Sequence, residues 1–475
     1  MNIRRTTAGI LAAATVFTVS SSISDSRFSP FPQTAITAEA AGWTVIDNTH
    51  IAVDGIVYAL NRSAKTATVC GFYNGALKKN LKLGGIINAE NTDFRITGIE
   101  EEAFRGTKVE NLDLSSAYNL KTISSYAFFS CEKLTTVKLG SSITSIGAHS
   151  FRGCTGLSSF SFGGNNKITS LPDRMFYADK ALTSIDIPYS VKTIGEECFK
   201  SSGLTTVEIS NNCTRIKTDA FRNCKKLTSV TFEAGGSTKL YIGQNAFTNC
   251  TRINKVNFDR TNYDAETNVF DSCGTCFKAY GYGAKDYVRS VISKLLDEWN
   301  ISYNANSSKN EQIAFYNALM TKLHNYIKPA SLDEQLQEGN AATVISLRKG
   351  TCGGYSRLFY NFCIIAGVSP NNVLVAGDCH CHAWNYVKAG TEWYNIDATN
   401  NVKVCDKQAY HNWFGKPAIL GNGKDAHLPE NWYVLVDDTI GTTDSKLYLQ
   451  SFTLLFDDLI AHHREGSVYI TGTRK

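Results

Sequence analysis

The sequence predicts a multidomain chain: a β-rich solenoid of short repeats followed by an α+β domain. Two observations predict this. Phe104, Phe128, Phe151, Phe176, Phe199, Phe221 and Phe247 recur every 22–26 residues, and short apolar strands follow them. From residue 350 a helical run and two alternating strands follow one another once, without repetition, and carry a cysteine, a histidine and an aspartate.

The chain opens with Arg4 and Arg5, an apolar run from about Ala8 to Val19, and a polar stretch ending Ala38-Glu39-Ala40. That order is the order of a secretory leader with an A-x-A cleavage site, so residues 1–40 are expected to be a signal peptide. No other stretch is long and apolar enough to span a membrane. The expected location is secreted, or held at a cell surface by contacts alone. The formal charge of +5 falls to +4 without the leader's three basic and two acidic residues. That is too small to imply nucleic acid or an anionic membrane as partner.

Residues 41–100 read as a β-rich N-terminal cap, with Phe94, Ile96 and Ile99 leading into the first repeat. In the repeats, 101–270, each Phe from Phe128 on precedes a Leu-x-x-Val-x-Leu type strand: Leu134-Val137-Leu139, Leu157-Phe160-Phe162, Leu182-Ile185-Ile187, and so on. A second apolar pair, such as Ile143/Ile146 or Val191/Ile194, precedes the next Phe. This period and pattern are those of a leucine-rich repeat solenoid, and they resemble the bacterial surface-antigen type. Residues 271–305 read as a C-terminal cap built on a strand and the helix Ala284–Trp299. The polar run 306–310 reads as a linker, and 311–475 as the second domain.

Fourteen cysteines in an exported chain suggest disulfides. Cys131, Cys154, Cys224 and Cys250, however, all stand three residues after the repeat Phe, where Asp179 and Ser202 stand in other repeats. A position that recurs in this way is a packing position, and buried unpaired thiols are expected there. Cys273-Gly274-Thr275-Cys276 has redox spacing in a cap, where a disulfide or nothing is expected. In Cys379-His380-Cys381-His382, strand alternation would send Cys and His to opposite faces, so no metal site is expected, and no cofactor. Exposed strand positions such as Thr135/Thr136/Lys138 and Ser158/Ser159/Ser161 are small, polar and free of aromatic anchors. The solenoid therefore remains open to two readings, a rigid spacer or an extended adhesive surface for surface proteins or glycans.

The chemistry is expected after residue 350. Gly350, Gly353 and Gly354 surround Cys352. After it Tyr355, Leu358, Phe359, Phe362, Ile365 and Ala366 recur at helical spacing, and Gly367 and Pro370 mark a stop. Cys352 thus sits at a helix N-terminus, where unpaired N–H groups and the dipole stabilise a thiolate. Residues 379–387 and 392–397 alternate as strands, with Lys388-Ala389-Gly390-Thr391 as a hairpin turn. A two-residue Ala389-Gly390 loop would set His382 directly opposite Asp397, and a bulged turn would shift the pairing by one. Cysteine, histidine and carboxylate in this arrangement are a nucleophile, its base and the base's orienter.

Gly-x-Cys-x-Gly-Tyr-Ser at 350–356, His-Ala-Trp-Asn at 382–385 and Trp-Tyr-x-x-Asp-x-Thr at 393–399 together resemble the transglutaminase-like superfamily, a papain-type thiol fold. The resemblance covers roughly residues 311–475. It implies Cys352 as nucleophile, His382 as general base and acid, and Asp397 as orienting carboxylate. It implies acyl transfer on a peptide or glutamine amide, ending in hydrolysis or cross-linking, with a protein or peptide as substrate. Asn400 departs from the family, which often has Trp there. The alternative from another class is a surface adhesion protein whose second domain keeps the fold without turnover.

Overall fold

The structure, a computed structural model, describes residues 36–38, 42–75, 78–164, 167–274, 277–330, 341–378, 383–404 and 432–435. Residues 1–35, most of the expected leader 1–40, and most of 405–475 lie outside them. Among the described residues, no helix is long and apolar enough to cross a membrane.

A stack of phenylalanines organises the repeats. Phe104, Phe128, Phe151, Phe176, Phe199, Phe221 and Phe247 are all fully buried. Consecutive ring centroids stand 4.9–6.2 Å apart, with planes within 16° of parallel. The stack runs one repeat further, to Phe270, 5.1 Å from Phe247. Each ring occupies a turn between two short strands. On either side of one break, the first strands of successive repeats pair in parallel, as Thr136–Lys138 pairs with Ser159–Ser161. The second strands pair likewise, as Thr193–Ile194 pairs with Arg215–Ile216, in one sheet that ends at Ser145–Ile146 and another that runs on from Ser170–Leu171.

The first ladder is broken in the middle. Residues 182–187, predicted as a strand, form no regular strand, and the sheet ending at Ser161 is separate from the one that starts at Thr206. Ile185 and Ile187 are only half-buried. Pro188 follows directly and has no N–H to give to a ladder. The Phe stack and the second strand ladder carry the solenoid across this break.

The predicted thiol positions hold free cysteines. Cys131, Cys154, Cys224 and Cys250 are fully buried and unpaired. Each Sγ donates to the carbonyl of the preceding repeat's Phe, at 3.0–3.2 Å. Cys273 continues the series, donating to Phe247 O at 3.1 Å, so it belongs to the packing ladder. Cys276 lies outside the described residues.

At the other end the cap is not a separate piece. Tyr287 of helix α1 (Ala284–Trp299) stacks on Phe258 at 4.4 Å and closes the solenoid core. The opposite end of α1 presents Trp299, which stacks on Phe362 of the second domain at 5.3 Å. Most of the buried apolar residues form one continuous core from Ile51 to Val404, and Ile46, Ala52 and Val57 form a small separate cluster. Within the polar run 304–310, Ser307 N–H donates to Asn304 O at 3.1 Å, and a helix opens at Lys309. Ser308 caps helix α2 (Lys309–Tyr326) in a reciprocal capping box with Glu311.

Candidate functional site

The second domain sets helices against a small antiparallel sheet. Strands β1 (Lys328–Pro329) and β2 (Lys349–Gly350) form a short parallel bridge. Helix α3 (Ala341–Leu347) lies between them in sequence, and helix α4 (Cys352–Ile365) follows β2 directly. The sheet is formed by β3 (Val373–Asp378), β4 (Ala383–Ala389), β5 (Glu392–Ile396) and β6 (Trp432–Leu435), in the order β5-β4-β3-β6.

Cys352 is the first residue of α4, as its sequence context predicts. Thr351 caps the helix, its Oγ1 accepting from Gly354 N–H at 3.4 Å. The left-handed Gly367, with φ +101°, ends the run. The thiol-bearing residue is half-buried, while the helix behind it buries Tyr355, Leu358, Phe359 and Phe362 completely. Two polar clamps fix the first turns. Tyr355 OH donates to Ile327 O at 2.6 Å, and Asn385 Nδ2 of β4 donates to Ser356 O at 2.9 Å. Burial pushes Cys70, Cys213 and Cys273 up to about 12, 11 and 12, and lifts Cys363 well above the ordinary value.

The hairpin forms, but one residue later than predicted. Gly390 and Thr391 make the loop, Gly390 taking φ +60°, and Ala389 remains in β4. The reason is steric: glycine accepts a positive φ that alanine resists. Tyr386 pairs with Asn395 and Asn385 with Ile396. Continued one step, this register sets Asp397 opposite Trp384. His382 itself, with Cys379, His380 and Cys381, lies outside the described residues.

Asp397 is buried at the end of β5, where its backbone bridges to Val402. Its Oδ1 accepts from the N–H groups of Thr399 and Asn400, at 2.9 and 3.2 Å, and its Oδ2 from Asn400 Nδ2 at 2.8 Å. Asn400, noted in the sequence only as a departure, thus holds the carboxylate. The Asp-x-x-Asn spacing of an Asx turn was the signal for it. The face of β4 that meets α4 carries Asn385, and its cross-strand partner there is Ile396. Strand alternation sets position 397 on the opposite face. Of the predicted triad, the structure therefore describes Cys352 at the helix start and Asp397 in its turn, and alternation alone does not bring Asp397 to the face that meets α4.

Comparison with known proteins covers the solenoid. Residues 86–180 and 164–277 match the BspA type leucine rich repeat region, in six copies. The repeats are BspA-type leucine-rich repeats. Similar solved structures include a leucine rich cell surface protein of Faecalibacterium prausnitzii, 17% identical, covering 52% of this chain and 81% of that one, with a TM-score of 0.29. The T. pallidum leucine rich repeat protein is 20% identical, covering 50% of this chain and 94% of that one, TM-score 0.35. The pneumococcal vaccine antigen PcpA is 14% identical, covering 52% and 96%, TM-score 0.23. No curated protein matches the chain.

Proposed function

We propose that this is an exported, surface-acting thiol enzyme whose BspA-type solenoid positions a transglutaminase-like domain, and that Cys352 performs acyl transfer on peptide or glutamine amides. The observation that carries this reading is the setting of Cys352. It is half-exposed at the first position of a capped 14-residue helix that is buried behind it and clamped to β4. Helix N–H groups and dipole favour the thiolate there, and the burial of α4 holds the sulfur in place. In the reaction, the thiolate attacks the amide carbonyl and a C–S bond forms. The C–N bond then breaks as His382 gives its proton to the leaving amine. Water or a primary amine next attacks the thioester, giving acid or a new amide, and the thiolate returns. The N–H groups at the start of α4 are the donors assigned to the oxyanion. His382 and Asp397 take their roles from the resemblance.

A second reading rests on the alternation of β5, which turns position 397 from the face that meets α4. On that reading the domain is catalytically idle, and the chain is a protein-binding adhesin, in line with the surface relatives named above. One experiment separates the two. Iodoacetamide at mildly acidic pH is expected to modify Cys352 ahead of every other cysteine, and a peptide electrophile to label wild type but not Cys352→Ala. Peptide mapping that found Cys131 or Cys224 labelled equally with Cys352 would sink the enzyme reading and leave the adhesin.

A further inference from the structure

Each repeat carries two side chains on its turn that the Phe stack does not use, those two residues before the Phe and one after it. At both ends of the array these two satisfy each other. Glu102 pairs with Arg105, Glu197 with Lys200 at 2.6 Å and Asp219 with Arg222 at 3.2 Å, and Asn245 Oδ1 accepts from Thr248 Oγ1 at 3.4 Å. In the three repeats between, the pairs are Tyr126/Phe129, His149/Arg152 and Arg174/Tyr177. The turn keeps its left-handed backbone at Glu102, Tyr126, His149, Arg174 and Glu197 alike. The solenoid therefore does not itself require aromatic side chains here. His149 is buried, and the other five are half-exposed.

These middle residues interlock along the solenoid. The Arg105 guanidinium lies 4.9 Å from the centre of the Phe129 ring, and that of Arg152 lies 5.6 Å from Phe129 and 4.5 Å from Tyr177. Arg105 comes from the repeat before Phe129 and Arg152 from the repeat after, so both faces of that ring are covered. His149 stacks on Tyr126 in the same way, at 4.5 Å and 13°. With faces covered, the ladder turns ring edges and guanidinium edges outward, and both are electropositive. Arg152 stands at its centre. Its Nη1 donates to His149 Nδ1 at 3.2 Å. A guanidinium can only donate, so the imidazole accepts. Burial, with Arg152 and Arg174 nearby, holds His149 below its ordinary value and keeps it neutral. Among the described residues no carboxylate pairs with Arg152. The two carboxylates that act on His149 are engaged elsewhere, Asp173 with Lys217 at 3.1 Å and Glu197 with Arg174 and Lys200.

We propose that this ladder, from Arg105 to Tyr177, is a docking surface for a protein partner that offers a carboxylate beside an apolar side chain. The planar fork of Arg152 takes the carboxylate in a bidentate pair. Two rings already hold that guanidinium, so little side-chain freedom is lost on binding. The edges of Tyr126, Phe129 and Tyr177 take the apolar group. Arginine and tyrosine at the centre of a patch are the residues that carry most binding energy in protein interfaces. A flat ligand such as a base or a sugar ring would need open ring faces, and those are taken. The binding face of the solenoid is then its turns, where the anchors stand, rather than its small polar strand positions. The inference concerns the repeats and holds under either reading of Cys352.

The test uses the full chain and a fluorescein-labelled peptide of repeated Gly-Glu-Phe, followed by anisotropy, with matched peptides in which Gln or Lys replaces Glu. The acidic peptide is expected to bind, and the other two at least about tenfold more weakly. Arg152→Gln should abolish that preference. Arg152→Lys keeps the charge without the fork and should weaken the acidic peptide by at least about threefold. Arg222→Gln is the control. Arg222 holds the same turn position in a later repeat, but with Asp219 as its partner, and its loss should leave peptide binding unchanged. Near-ultraviolet circular dichroism checks that each variant is folded. Equal affinity for the three peptides, or equal losses in Arg152→Gln and Arg222→Gln, overturns the proposal. So does displacement of the peptide by polygalacturonate at a lower carboxylate concentration than by the unlabelled peptide, which would assign the ladder to an acidic glycan. Cys352 takes no part in this measurement, so its labelling by iodoacetamide decides the enzyme reading separately.

Discussion

The solenoid and the second domain bury side chains in the same continuous core, yet they use them differently. In the solenoid each role is filled many times. Phe199 sits between Phe176 and Phe221, and its neighbours sit in the same way between theirs. In the second domain each role is filled once. Trp299 meets Phe362, Asn385 meets Ser356, and Asn400 meets Asp397. A repeated role can be recognised from its period even when single copies deviate. A unique role must be read from one residue in one place, and an error of one residue goes unaveraged.

The largest expected effect tests that difference directly. Phe199 and Phe362 are both fully buried. Phe199→Ala and Phe362→Ala should each cost about 3–5 kcal/mol. Phe199→Ala should cost more, because it removes two ring stacks against one, each worth about 0.5–1.5 kcal/mol. It should also spread, since each repeat is held only by its neighbours. Chemical denaturation followed by hydrogen exchange is expected to show protection lost on both sides of residue 199, but only within the second domain for Phe362→Ala. Equal costs and equally local losses would mean that the stack adds nothing beyond burial.

Legibility follows the same division. The Phe period, the paired apolar strands and the thiol ladder are readable because each recurs at one spacing. What the period conceals is a local exception, as at 182–187, where Pro188 ends the pattern's consequence without ending the pattern. In the second domain the N-terminal setting of Cys352 is readable, since glycine, helical stripe and stop signal agree. The hairpin register is not fixed by alternation alone, because the choice between Ala389-Gly390 and Gly390-Thr391 leaves every residue's alternation intact. Only the steric demand for a glycine at positive φ decides it. The run Ser308-Lys309-Asn310-Glu311 was legible as a capping box, but its polar composition reads first as a linker.

A middle-sized effect comes from the one charge in the thiol ladder. Asp179 is fully buried at the position where five other repeats place a thiol that donates to a Phe carbonyl, those of Cys131, Cys154, Cys224, Cys250 and Cys273. Neither carboxyl oxygen has a hydrogen bond of good geometry, although the N–H groups of Gly153 and Cys154 lie close enough to favour the charged form slightly. Burial dominates and lifts the group well above the ordinary 3.8. The native state therefore keeps the proton and the unfolded chain releases it above 3.8. It follows that this residue's contribution is fully present below pH 3.8 and is lost as pH rises. A neutral carboxyl can donate as a thiol does; a carboxylate cannot. Asp179→Cys should then be close to neutral near pH 4 and stabilising by roughly 1–3 kcal/mol near pH 7. Denaturant midpoints across that range would show it. A gain independent of pH would mean that Asp179 is not protonated in the native state.

The smallest expected effect concerns a repeated feature that no residue type announces. Each stacked Phe from Phe104 to Phe247 is flanked two residues before and two after by a left-handed backbone. Around Phe176 these are Arg174, at φ +56°, and Ala178, at φ +66°. Around Phe128 they are Tyr126 and Ser130, and around Phe151 His149 and Gly153. Only some copies use glycine or asparagine, so composition hides the rule. The turn is imposed by the packing of the ring, and the non-glycine residues bear the strain, about 1–2 kcal/mol for a Cβ held there. Against this stands glycine's greater freedom in the unfolded chain, about 0.5–1 kcal/mol. The balance for Ala178→Gly is thus a gain of between zero and about 1.5 kcal/mol. At Gly153, where the same position already holds glycine with φ +76°, the reverse change Gly153→Ala should lose a similar amount. The two variants form a symmetric pair one repeat apart. Thermal unfolding that moved both in the same direction would show that neighbouring contacts, such as Ser130 Oγ at 3.3 Å from a Cβ at Gly153, outweigh the backbone conformation that the repeats share.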